Sequence, residues 1–169
     1  NRDRSSICRG YARSLEKIMN NALIVYDRKS SSALRCARLL ARKQPSELIA
    51  VGEGRRIDIA RYAVVVFVSS ISAGSISHSR EFLDYWDELR YKPVIMVLTG
   101  AAPADHPVYG QVYENEMPPS IRNHMVFFKV SAGGSEGTLR RFLSMFTAVS
   151  DPALETQLRP IATCIRAFM

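Results

Sequence analysis

The chain has few cysteines, few histidines and no long apolar run, and each scarcity removes a class of function. Cys8, Cys36 and Cys164 are its only cysteines. They are far apart and cannot all pair, so neither a disulfide framework nor a thiolate metal site is indicated. Reduced thiols in a cytoplasm are the expectation, with Cys36 a buried thiol on the inner face of a helix. His78, His106 and His124 have no ligand spacing, and no Ser/His/Asp set is recognisable; His78 reads as a surface histidine at a helix N-terminus, with contact to a substrate as the alternative. The longest apolar run, residues 63–68, is far too short to cross a bilayer. The N-terminus is polar and basic, without the apolar segment of a secretory signal. A Gly-x-x-x-x-Gly-Lys-Ser/Thr loop is absent, which removes the common nucleoside-triphosphate site. There is no internal repeat and no low-complexity tract.

What is present is a core-forming composition. The chain has 169 residues, 47% of them hydrophobic, and a net charge of +7. That length suits one domain with a proper core. Residues 1–18 carry five basic and two acidic side chains. Cys8, Tyr11, Ala12 and Leu15 there fall at helical spacing, so an extra helix or a non-native leader is expected before a domain spanning 19–169. The other basic residues are scattered over expected helix exteriors. With no RNA or DNA motif, a solvated basic surface is expected rather than a nucleic-acid site.

Strand and helix patterns alternate along the chain. Residues 22–27 read as a buried strand, and Ala33, Cys36, Ala37 and Leu40 give the i, i+3, i+4, i+7 spacing of a helix over 32–43, closed by Pro45. A short second strand is expected at 47–51, a turn at 52–55 and a turn of helix at 58–62. Residues 63–68 form the strongest strand. Its lack of alternation suits a central parallel strand covered on both faces. A loop from Ser69 to Ile76 and a helix with Phe82, Tyr85, Trp86 and Leu89 on one face come next, those aromatics reading as core. Strands at 93–98 and 125–130 follow, the second ending at 131–134. Helices striped by Leu139, Phe142, Leu143 and Phe146, and by Leu158, Ile161, Ala162 and Ile165, complete the pattern. Five alternations argue for a parallel sheet between two helical layers.

The segment around which the rest is organised is a strand, a serine-dense turn and a helix: Val25-Tyr26-Asp27-Arg28-Lys29-Ser30-Ser31-Ser32-Ala33. The first N–H groups of a helix are unpaired and electropositive, so this arrangement can seat a phosphate. The turn resembles the phosphate loop of flavodoxins, with Ser31 where that family has glycine and Ala33 where it has the closing threonine. Ser70-Ile71-Ser72-Ala73-Gly74, Thr99-Gly100, the Phe127-Phe128 strand and Arg159-Pro160-Ile161 extend the resemblance. They are similar to segments of the flavodoxin domains akin to menaquinone-dependent protoporphyrinogen oxidase, over roughly residues 20–167.

The resemblance implies a three-layer α/β fold, a five-stranded parallel sheet of order 2-1-3-4-5 with helices on both faces. It also implies non-covalent FMN as cofactor. Arg28, Lys29, Ser30, Ser31, Ser32 and Ala33 would then form the phosphate loop. Ser70, Ile71, Ser72, Ala73, Gly74, Thr99, Gly100 and Ala101 would flank the ring, the small residues letting the backbone approach it. The implied role is electron transfer or a small quinone-linked oxidoreduction, with a redox partner protein or a quinone-like molecule as partner. The alternative is a degenerate flavodoxin-like domain without flavin, serving as an interaction or scaffold module. A response-regulator receiver shares the topology, but the third strand ends in Ser69-Ser70 where a phosphoacceptor aspartate belongs.

Overall fold

The computed structural model of the chain describes residues 21–52, 57–131 and 152–169. The extension at 1–18 with the domain boundary beside it, most of the turn at 52–55, residues 132–134 and the stripe from Leu139 to Phe146 lie outside the described residues.

Among the described residues five strands run parallel. They are β1 (Ala22–Tyr26), β2 (Ser46–Ala50), β3 (Val64–Ser72), β5 (Val94–Gly100) and β6 (Met125–Ser131), in the order β2-β1-β3-β5-β6. The two-residue β4 (Ser75–Ile76) pairs antiparallel with the end of β3. Setting β4 aside, the order is the expected 2-1-3-4-5, and the chain has the flavodoxin-like three-layer α/β architecture.

The helices divide between the two faces as the strand side chains dictate. Alternate residues of a strand point to opposite faces. Ala22, Ile24, Val64, Val66, Val68, Ile95 and Val97 therefore pack against α1 (Ser31–Ala41) and α6 (Pro152–Ala167). Leu23, Val25, Val65, Phe67, Met96 and Leu98 face the other layer. That layer comprises α2 (Ser79–Asp84), α3 (Trp86–Leu89), α4 (Val108–Glu116) and α5 (Pro119–Arg122). Both faces of β1, β3 and β5 are covered, which is why those strands show no polar alternation.

Several boundaries differ from expectation. The helix expected to carry Phe82, Tyr85, Trp86 and Leu89 is broken at Tyr85 (φ −91°, ψ 1°) into α2 and α3. Phe82 still packs on Phe67, with ring centroids 5.1 Å apart, and on Trp86 at 6.1 Å. These aromatics are core. The expected turn of helix before β3 is a 3-10 turn, Ile59–Arg61. The helix Pro152–Ala167 holds Pro160 in its interior. The buried stripe Leu154, Leu158, Ile161, Ala162 and Ile165 carries the helix past that proline, outweighing the ~3 kcal/mol an interior proline costs.

β3 is the largest departure. It runs on through Ser69–Ser72 and turns back as a hairpin, pairing Ile71 with Ile76 and Ser72 with Ser75. The expected Ser69–Ile76 loop is therefore largely strand. Its tip is Ala73 and Gly74, both at positive φ (51° and 79°), as the two-residue type I′ turn requires. Gly74 takes that conformation freely, whereas Ala73 is strained by about 1 kcal/mol.

Candidate functional site

The carboxyl ends of β1, β3 and β5 meet beside the point where strand order reverses, the place where open α/β sheets bind ligands. A cleft of about 590 Å3 opens there, inside the range of about 300–1,000 Å3 usual for small-molecule sites. Its first wall is the serine loop. Ser30 caps α1, its Oγ accepting the Ala33 N–H at 3.2 Å. Lys29, Ser31 and Ser32 line the cleft beside it. The second wall is the hairpin, with Ser70, Ile71 and Ser72, and the third is Thr99, Gly100 and Ala101.

Ten of the fourteen residues singled out from the sequence thus share one cavity. The other four do not line it. Arg28 is exposed beyond its edge. Ala33 is wholly buried against the sheet, so its side chain belongs to the core. Ala73 and Gly74 are exposed at the hairpin tip.

The serines are bonded to one another. Ser30 Oγ and Ser32 Oγ lie 2.9 Å apart, and Ser32 Oγ is 2.9 Å from Thr99 Oγ1. The Thr99 hydroxyl donates to Ser69 O at 3.2 Å. Thr99 is fully buried and lies within β5, not in the loop after it. This hydroxyl chain stitches the loop after β1 to β5 and β3. Gly100 likewise serves the fold: a Cβ there would sit 2.8 Å from the Tyr109 hydroxyl, which donates to Ala102 O at 2.9 Å. Its missing side chain makes room for Tyr109.

Asp27, Ser77 and His78 also line the cleft; the sequence pattern assigned no role there to Asp27 or Ser77, and contact with a substrate was the second reading of His78, after a surface histidine at a helix N-terminus. Asp27 follows β1 and is 3% exposed. One oxygen, Oδ1, accepts the Lys29 N–H at 2.9 Å and lies 3.4 Å from His78 Nε2. The other, Oδ2, accepts the Ser70 hydroxyl at 3.0 Å. A buried carboxylate is tolerated only when so compensated. His78 Nδ1 is 2.9 Å from Glu81 Oε1. This hydrogen bond holds the Glu81 carboxyl below its ordinary range. His78 itself has left-handed backbone (φ 61°, ψ 26°). Ser69 and Ser70 brace the segment, through Ser69 Oγ to Ser77 O at 2.6 Å and Ser77 N to Ser70 O at 2.9 Å.

This constellation narrows the chemistry. Ser70 meets a carboxylate rather than an imidazole, so it lacks the adjacent base that activates a serine nucleophile. Among the described residues no group of three His, Cys, Asp or Glu side chains is placed to hold a metal ion. Burial pushes the Cys36 thiol up to about 12, so it is inert as a redox group. Lys129 is exposed on β6 and does not line the cleft. Among the described residues no helix is long and apolar enough to cross a membrane. A second cavity, apolar and about 430 Å3, lies between the sheet and α2–α3 beside Val25, Phe67, Phe82 and Tyr85.

No family model matches the chain, and neither does any curated protein. Among solved structures it is similar to a candidate flavoprotein from Bacteroides eggerthii, at 11% identity and TM-score 0.49, over 77% of this chain and 99% of that one. It is also similar to RosB, solved with a bound formylriboflavin-phosphate intermediate, at 14% identity and TM-score 0.48, over 85% and 76% of the two chains. The Trp repressor binding protein of Bacillus subtilis gives 13% identity and TM-score 0.49, over 89% and 97%. At these values the likenesses add nothing to the fold argued from the strand order.

Proposed function

We propose that the cleft binds FMN non-covalently and that the protein works in electron transfer or a small quinone-linked oxidoreduction. A redox partner protein or a quinone-like molecule would be its counterpart. The observation carrying this reading is the convergence on one cleft of the α1 N-terminus, the serines at 30–32, and the small or hydroxylic residues Ser70, Ser72, Gly100 and Ala101. The residues present fit the group. The helix N-terminus and the serine hydroxyls offer donors to a phosphate, and Lys29 adds charge. The hairpin and the Gly100–Ala101 turn form two walls between which a flat ring can lie. FMN supplies the redox chemistry when bound. The chain's own residues hold and orient it and shield it from water.

One observation favours the flavin-free scaffold instead. The serine hydroxyls already satisfy one another from Ser30 through Ser32 to Thr99, so the loop needs no ligand to be complete. A titration decides between the two. The flavin reading expects the protein to quench FMN fluorescence with saturable binding that weakens with added salt, because a phosphate bound beside Lys29 is partly screened. Unchanged FMN fluorescence at all protein concentrations would leave the scaffold reading.

A further inference from the structure

We propose that His78 determines which ligand charge this cleft accepts. Protonated, its imidazole balances the buried Asp27 carboxylate and lets an anion settle on the serine loop. Neutral, it leaves Asp27 to repel that anion. This rests on reading the cleft as a phosphate site.

Three observations support it. First, Asp27 is part of the serine loop's own structure: its Oδ1 takes the Lys29 N–H at 2.9 Å. A negative charge, on a carboxylate only 3% exposed, therefore stands inside the wall that would receive a phosphate, and burial strengthens charge interactions. Second, among the described residues the only cationic side chain in ion-pair contact with that carboxylate is His78, 3.4 Å away at the same Oδ1. Third, His78 is held there against its backbone preference, with φ at 61°. Strain of that kind persists where the surroundings over-determine it and gathers at working sites.

The other charges near His78 are Glu81 on its own helix, at 2.9 Å, with Arg80 beside it, Lys29 across the cleft, and Glu116 of α4, whose Oε1 accepts the Ile76 N–H at 2.8 Å. None of these substitutes for His78 as the titrating counter-charge. Among the described residues neither Arg80 nor Lys29 forms an ion pair with Asp27, and the carboxylates have the wrong sign. Histidine changes charge between about pH 5 and 8. Anion affinity in the cleft therefore falls as pH rises through that range.

Inorganic sulfate is the probe, because it remains a dianion throughout and any pH dependence belongs to the protein. Amide shifts of Ser31 and Ser32 report its binding to the flavin-free protein. Sulfate should bind about tenfold more tightly at pH 5.5 than at pH 8, the factor that one unit of linked titration gives. Binding is reciprocal, so saturating sulfate should raise the midpoint of the His78 imidazole titration by about one pH unit, which is read in the parent and needs no variant. His78→Gln should bind weakly and independently of pH, whereas Asp27→Asn should bind tightly even at pH 8, where the parent binds weakly. A pH profile retained in His78→Gln, an imidazole midpoint unmoved by sulfate, or no sulfate shift at Ser31 and Ser32 would overturn the proposal. If sulfate behaves as stated and FMN does not bind, His78 keeps this role and the flavin reading alone fails.

Discussion

Over residues 22–25, 64–68 and 94–98, the strands β1, β3 and β5 bury nothing but apolar side chains. One or two residues later come Asp27, just past the end of β1, Ser69 and Ser70 in β3, and Thr99 in β5. Of the buried polar or charged side chains among the described residues, Asp27, Ser69 and Thr99 lie at this rim and only Gln44 lies elsewhere. The body of the sheet is stabilised by removing hydrocarbon from water. At the rim, each buried polar group needs a partner to offset its desolvation, and the partners found are other rim residues: Ser32 for Thr99, Ser70 for Asp27. Such a network costs stability unless complete, and it is placed where a ligand can reach it.

The contrast can be broken first in the body. Ile95 is fully buried against the α1–α6 layer. Ile95→Ala should lose about 2–5 kcal/mol in urea unfolding and leave the amide shifts of Ser30–Ser32 unchanged. At the rim the effects should be smaller. Gly100→Ala drives a Cβ to 2.8 Å from the Tyr109 hydroxyl, for a loss of about 1–3 kcal/mol. Adding Tyr109→Phe should recover part of it.

These two sites also show how far the sequence could be read. Ile95 was legible as core because an unbroken apolar strand needs no partner named to be placed. The alternation of strands and helices was legible for the same reason, and the strand order followed from the family resemblance. Gly100 was legible as a small residue at the right strand end. Its reason for being small was not, because Tyr109 reaches it only through the fold. The serines at 30–32 were found from local pattern. Their bonding to Thr99, 67 positions away, and the bond from Ser70 to Asp27 across 43 positions left no local trace. His78 read first as a surface histidine because its contact with Asp27 depends on the hairpin, and the hairpin turns on a non-glycine residue, Ala73, that breaks the usual turn signal.

Smaller effects sharpen the contrast further. Thr99→Val keeps the side chain's shape and removes a hydroxyl bonded to Ser69 O and Ser32 Oγ. A loss of about 1–2 kcal/mol is expected, with faster hydrogen exchange in the serine loop but not in the body of β5. Ala73→Gly should act in the opposite direction, relieving positive-φ strain at the exposed hairpin tip and adding about 0.5 kcal/mol. Urea midpoints would register both.

We propose the polar rim, rather than the apolar cavity under α2–α3, as the ligand site. Amide shifts mapped on addition of FMN separate the two. Saturable shifts are expected at Lys29–Ser32, Ser70–Ser72 and Thr99–Ala101, with Val25, Phe67, Phe82 and Tyr85 unmoved. Shifts centred on those four apolar residues, with the serine loop silent, would contradict the proposal.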